Sequence, residues 1–337
     1  LPSLAIATPE RLWIARQGSR WSLESHLEGE SPDCLAVDPR DPTRLYCGTS
    51  GHGLFRSTDG GRTWQPAGAG IRHAEISAVA VSPTEVSSGR GVVYAGTNPS
   101  SLFRSDDGGE SWRELSAMLA LPSADEWSFP PQPETHHVRW IEVDPVAPAR
   151  LYVAIEAGAL VRSFDGGQTW SDRVPGGPYD THTAATHPQA PGRVYSAAGD
   201  GYFQSEDGGD SWTEFGKGLR HHYLVGVAAD PGDPDAVLVS AASGPGVAYR
   251  SPRAEATVYR RSGTAPFAPA MEGLPPARGT VASLFAVDPI RAGAIFAANN
   301  RGLFRSSDGG LSWQAAEVDW PDGSVGSGVS AVVFIPD

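Results

Sequence analysis

Apolar and polar residues alternate along this chain in short runs, each broken by Asp-Pro, Gly-Gly or Ser-Gly. Between 34 and 68 the runs are CLAVD (34–38), RLYCGT (44–49), GLFRS (53–57) and WQPAG (64–68). A period of two bounded by turn residues predicts short strands. The group of four then recurs. LFRSTDGGRTW (54–64) returns as LFRSDDGGESW (102–112), LVRSFDGGQTW (160–170), YFQSEDGGDSW (202–212) and LFRSSDGGLSW (303–313). Two worn copies, LWIARQGSRW (12–21) and VYRRSGTAPF (258–267), lack the Asp-Gly-Gly and bring the number of units to seven. A unit of four strands with a period near forty residues is a propeller blade.

The predicted fold is therefore all-β: one domain over 1–337, a seven-bladed β-propeller of four-stranded antiparallel blades. The two ends of the chain complete each other. GVSAVVFIPD (328–337) reads as an innermost strand with nothing after it. LAIATP, RLWIAR and RWSLESH read as outer strands with no inner strand before them. Joined, they make a seventh blade that closes the ring and removes a free sheet edge.

The repeated turn answers a folding problem. Ser57 and Asp59 offer side-chain oxygens to turn N–H groups, the glycines supply positive φ, and Trp64 packs between blades. The Ser-x-Asp-x-Gly-x-(Ser/Thr)-Trp string resembles the Asp-box, or BNR, repeat, and the resemblance covers nearly the whole chain. It implies a β-propeller and leaves function open. Asp-box propellers include sialidases, xyloglucan hydrolases, sortilin-type receptors and photosystem II assembly factors. In these families the boxes lie on the face away from the binding site, so the boxes here are expected to be structural, and function must be argued from the site. Sialidases have six blades and an arginine triad that has no counterpart here. Xyloglucan hydrolases use two such propellers. The photosystem factors match in length and blade number but rely on an arginine-rich patch that nothing here marks.

Composition narrows the partners. A net charge of −13 argues against nucleic acid, and means that an anionic polymer needs a local basic patch. No apolar run approaches a membrane span, and no signal peptide is visible in a chain that starts at Leu1. The expectation is a soluble protein, either of the bacterial cytoplasm or exported with its leader absent from this chain. Cys34 and Cys47 are expected to face each other across the first hairpin of blade one, with two reduced thiols favoured over a strained disulfide.

Candidate chemistry clusters on one face. Loops leading into the innermost strands share a face with the loops between second and third strands. Aligning the inner strands on their closing prolines (Pro39, Pro83, Pro145, Pro188, Pro231, Pro289 and Pro336) gathers the segments IRHAEIS (71–77), ETHHVRW (134–140), PYDTHTA (178–184) and LRHHYLV (219–225) in four adjacent blades. Glu75, His137, Asp180 and Tyr223 stand eight residues before the proline; Ser77, Arg139 and His182 stand six before. Residues two apart in a strand share a side. His137, Arg139, Asp180, His182 and Tyr223 are therefore the candidate catalytic residues, with His73, Glu75, Arg220, His222 and Arg278 as candidate substrate-binding residues. Glu156, Asp200 and Arg301 in second-to-third-strand loops are further polar candidates. Two long connections, 115–134 and 243–256, are candidate binding loops, with Trp127 and Phe129 placed either to stack on a sugar or simply to pack on a blade.

Three readings compete. The cluster is an acid/base site on a glycan, since His titrates near neutrality and Arg stabilises anionic charge. His, Tyr and Arg suit elimination, whereas hydrolysis needs two carboxylates, with Glu75 and Asp180 as candidates. Alternatively, Asp180-x-His182 is half of a divalent-metal site. Or the face is a non-catalytic surface for a protein or glycan partner.

Overall fold

The alternating runs do become strands. A computed structural model of the chain describes residues 2–321, 325–326 and 328–337. Its sheets are seven, each antiparallel with the order of strands following the chain outward. The inner strands are Pro32–Val37, Glu75–Ser87, Val138–Val143, Thr181–Thr186, Tyr223–Asp230, Leu284–Val287 and Ala331–Ile335. Each touches the next, and the last touches the first, so the seven blades close around a central channel. Six blades have four strands. Blade three has three, and the isolated bridge between Arg162 and Ser171 stands where its fourth would run.

The mixed seventh blade forms as expected. Ala331–Ile335 pairs with Ser3–Ala7, with Ala331 opposite Ala7 and Ile335 opposite Ser3, and Leu12–Gln17 and Trp21–His26 continue outward. Leu4, Ile6 and Ile14 on these strands are fully buried between blades six, seven and one.

The repeated turns share one hydrogen-bond pattern. In the first, Asp59 accepts from Ser57 Oγ (2.8 Å), Thr63 N (2.9 Å) and Thr63 Oγ1 (2.6 Å), while Gly61 N donates to Ser57 Oγ at 2.9 Å. Gly60 and Gly61 have φ of 74° and 86°, where a side chain is strained. A Cβ on Gly61 would also meet Ile14 Cδ1 of the neighbouring blade at 2.8 Å. Two of the tryptophans stitch blades together: Trp112 Nε1 donates to Ala67 O and Trp313 Nε1 to Ala270 O, each in the preceding blade, whereas Trp64 and Trp170 donate to Gly61 O and Gly167 O of their own turns.

These turns carry a pH signature. Asp59, Asp107, Asp165, Asp207 and Asp308 are each held down at about 2, against an ordinary 3.8. In Asp59, Asp165 and Asp207 the first cause is the hydroxyl of Thr63, Thr169 or Ser211. In Asp107 and Asp308 burial pushes upward first, and the bonds from Ser111 and Ser312 outweigh it. A depressed carboxyl stabilises the fold above its unfolded pKa and stops doing so as pH falls through the folded value. The melting temperature is therefore expected to fall between about pH 4 and pH 2, by a modest amount per solvent-facing box. A melting temperature that is flat across that window contradicts the assignment.

Two local expectations change. The ladder places Cys47 opposite Leu35 and Cys34 opposite Gly48, because the hairpin is centred on Asp41 and sets the two cysteines one residue out of register. Both thiols are free. Trp127 is buried in the core shared by blades two and three and bonds Ser123 Oγ at 3.0 Å, so it packs on a blade and offers no face to a sugar.

Candidate functional site

Five inner strands interrupt their ladders at equivalent places. A β-bulge leaves one residue unpaired each time: Asp33, Ser77, Arg139, His182 and Val225. Each stands six residues before its closing proline. An unpaired bulge residue turns out of the pleat and re-aims its side chain. Asp33, Ser77, Arg139 and His182 accordingly line a channel cavity of about 300 Å³, and Val225 lines an adjoining one of about 240 Å³ together with Asp33, Arg139 and Tyr249. Simple alternation placed positions six and eight on one side. The structure gathers them there, but the bulge sets the direction of the six-position side chains. The closing prolines of blades one to six ring the opposite end of the channel.

Glu156 is the hub. It sits in the tight turn between the second and third strands of blade three. Its Oε2 accepts from His137 Nε2 at 2.9 Å and lies 3.2 Å from Arg139 Nε. Its Oε1 lies 3.9 Å from His182 Nε2. Asp180 Oδ2 is 3.6 Å from that same nitrogen, and the Tyr223 hydroxyl is 3.3 Å from it. His182 Nδ1 lies 2.5 Å from the carbonyl of Leu224. A carbonyl only accepts, so Nδ1 carries the hydrogen of that bond, and Nε2 is turned to the Tyr223 hydroxyl. Tyr249, from the blade-five insertion, shares hydrogen bonds with Arg139 and Tyr223 and closes the circle at the rim.

The backbone is arranged to hold this set. Ala157, next to Glu156, adopts φ 49°, a left-handed conformation costing an L-residue roughly 1–2 kcal/mol. Its N–H donates to Asp180 Oδ1 at 2.8 Å. Asp200 accepts from the N–H groups of Tyr179 and Asp180, both at 3.1 Å. A Cβ at Gly199 would come within 2.1 Å of Asp180 Oδ2, so only glycine admits that carboxylate.

Electrostatics follow the geometry. Burial alone would raise Glu156, but the His137 hydrogen bond and the Arg139 charge outweigh it and hold the carboxyl at about 2. Burial likewise works against the Arg139 charge, and Glu156 more than compensates. Asp180 is pushed up by burial, with His182 opposing. Burial also raises Asp33, against the pull of Arg139. Tyr223 is pushed up by burial and by Tyr249.

Comparison with known proteins agrees with this architecture. The BNR/Asp-box repeat model matches residues 55–66 and 161–172. The chain is a seven-bladed β-propeller that contains BNR/Asp-box repeats. No curated protein matches it. The propeller is similar to the GH74 xyloglucanase from Xanthomonas campestris (19% identity, TM-score 0.64), over 99% of this chain and 52% of that one. It is also similar to YCF48 bound to D1 peptide (18%, TM-score 0.57; 91% of this chain, 85% of that one) and to YCF48 from Cyanidioschyzon merolae (15%, TM-score 0.58; 87% and 86%). This Asp-box propeller thus spans about half of the xyloglucanase. At these identities the likeness establishes the fold. Among the described residues, no helix is long and apolar enough to cross a membrane.

The five candidate catalytic residues His137, Arg139, Asp180, His182 and Tyr223 all meet around Glu156. Of the five candidate substrate-binding residues, Glu75 borders this set, its charge acting on Asp33, whereas His73, Arg220, His222 and Arg278 do not join it. His73 pairs with Arg72 beside His52, in a separate cavity on the flank of blades one and two. Glu75 accepts from Asn98 Nδ2 at 3.0 Å. Arg220 and His222 are exposed. Arg278 is exposed too, and its backbone bridges to Glu255. Most of these precede the regular strand, where the chain splays outward. Asp33 holds the same six-position in blade one, but residues 31–37 around it carry no histidine or arginine to mark the segment. Tyr249 lies in the candidate binding loop 243–256, where nothing in the loop's sequence singles it out.

Proposed function

We propose that the channel mouth opposite the Asp boxes is the active site of a carbohydrate-active enzyme, hydrolase- or lyase-like, working by general acid–base catalysis. The observation that carries this reading is the convergence of Asp33, Arg139, Glu156, Asp180, His182, Tyr223 and Tyr249 from four blades at one channel mouth, where Asp33, Arg139 and His182 line one cavity and Asp33, Arg139 and Tyr249 an adjoining one. Such a set of convergent polar groups in a concave site is the default mark of a ligand site. Tyr223 is the group that meets the sugar: it is half-buried, while His182 behind it is wholly buried. Its O–H is aligned by His182 and Tyr249. Arg139, Tyr249 and the carboxylates supply the hydroxyl-binding contacts typical of sugar sites.

Wild-type protein incubated with a panel of neutral and uronate-containing glycans tests this. The expected result is turnover of at least one, with new reducing ends alone indicating hydrolysis and an unsaturated uronate indicating elimination. No turnover across the panel overturns the enzyme reading.

A second reading has one observation in its favour. The YCF48 neighbours are matched over 85% and 86% of their length, the xyloglucanase over 52%. A one-propeller scaffold that binds a protein segment at the same mouth fits that match in size, and a propeller that turns over no glycan but captures a peptide there would support it.

A further inference from the structure

We propose that Glu156, Asp180 and His182 bind one divalent first-row transition-metal ion, Zn²⁺ or Mn²⁺, at the floor of the mouth. Each of the three has one polar atom already committed and another turned to a common point. Glu156 Oε2 is held by His137 and Arg139, leaving Oε1. Asp180 Oδ1 is held by the Ala157 N–H, leaving Oδ2. His182 Nδ1 is held by the Leu224 carbonyl, leaving Nε2. These remaining atoms all lie within 4.8 Å of one another.

That is how protein metal ligands are prepared. A ligating imidazole donates its other N–H to a carbonyl or carboxylate, and ligating carboxylates are themselves hydrogen-bonded. Around a tetrahedral ion with bonds near 2.1 Å, ligand atoms sit about 3.4 Å apart. The observed 3.6 and 3.9 Å from Nε2 to Asp180 and Glu156 need only a small contraction. Asp33, Glu156, Asp180 and Asp200 set four carboxyl groups against the Arg139 guanidinium, so local charge favours a dication. One imidazole with two carboxylates suits Zn²⁺ or Mn²⁺ better than Mg²⁺, which prefers all-oxygen ligands. Three protein ligands leave a position open to a ligand oxygen. The ion takes the Nε2 lone pair and so frees the Tyr223 hydroxyl towards the ligand. It also adds positive charge for an anionic sugar beside the Arg139 guanidinium, which Glu156 already engages.

Metal binding does not rest on the carbohydrate reading, because it is measured with no glycan present. Chelator-treated full chain is titrated calorimetrically with Zn²⁺, Mn²⁺ and Mg²⁺. The expected result is one Zn²⁺ or Mn²⁺ per chain and markedly weaker Mg²⁺. Asp180→Asn and Glu156→Gln are each expected to weaken binding roughly tenfold or more. They are preferred to His182→Ala because His182 is wholly buried and its loss endangers folding. His52→Ala removes an exposed histidine paired with Glu30 on a different loop and is expected to bind as wild type. The proposal is overturned by no binding at millimolar metal, by wild-type affinity in both carboxylate variants, or by loss in His52→Ala with retention in Asp180→Asn.

Discussion

Deleting residues 328–337 is expected to abolish cooperative folding and drive the protein into aggregates. The strand Ala331–Ile335 is the only inner strand of the seventh blade and touches the inner strands of blades six and one. Val332 and Ile335 are buried, and burying such a side chain stabilises by about 1.5–3 kcal/mol. Its ladder to Ser3–Ala7 adds hydrogen bonds at about 0.5–1.5 kcal/mol each. Together these approach the whole stability of an ordinary domain, about 5–15 kcal/mol. The deletion also leaves Leu4, Ala5, Ile6 and Ala7, wholly buried in the intact ring, as an apolar edge open to pairing with other chains. Size-exclusion chromatography and thermal melting check this. A soluble monomer with the native melting temperature contradicts the closure.

The blades were legible because their signals are local. The Asp-Gly-Gly turn, the alternation of its flanking strands and the unpaired runs at the two ends each read correctly without knowledge of distant contacts. The closing prolines also fixed the phase of the inner strands, which is why residues as far apart as His137 and Tyr223 could be placed at one height. Other features depend on geometry that no short string encodes. The bulges at Asp33, Ser77, Arg139, His182 and Val225 have no common residue type, so they left no mark in the sequence. The exact centre of the first hairpin, at Asp41, likewise leaves Cys34 one residue out of register with Cys47. Arg220 and His222 lie in an aligned segment, and Arg278 stands as far before Pro289 as Arg220 before Pro231, but all three precede the point where the ladder disciplines the chain. Glu156 was visible only as a polar loop residue, because its importance comes from a turn that reaches across to the next blade. Tyr249 lies in an insertion whose path is set by tertiary packing.

Tyr223→Phe is expected to lower kcat/KM about a hundredfold or more, the scale of a lost acid–base group, while leaving the melting temperature unchanged. The substitution removes one hydroxyl from a half-buried ring and keeps the aromatic contacts with His182 and Tyr249 at 4.9 and 6.2 Å. Asp207→Ala is the control on the opposite face. It removes the acceptor for Ser205 Oγ, Ser211 N and Ser211 Oγ, so it is expected to lower the melting temperature by a few degrees. Turnover per folded molecule is expected to stay the same. The most direct measurement is therefore kcat/KM and melting temperature for both variants, with whichever glycan the wild type turns over fastest. The account predicts that Tyr223→Phe loses activity at native stability and that Asp207→Ala loses stability at native activity. Full activity in Tyr223→Phe, or selective loss of activity in Asp207→Ala, would contradict the placement of function at the mouth opposite the boxes.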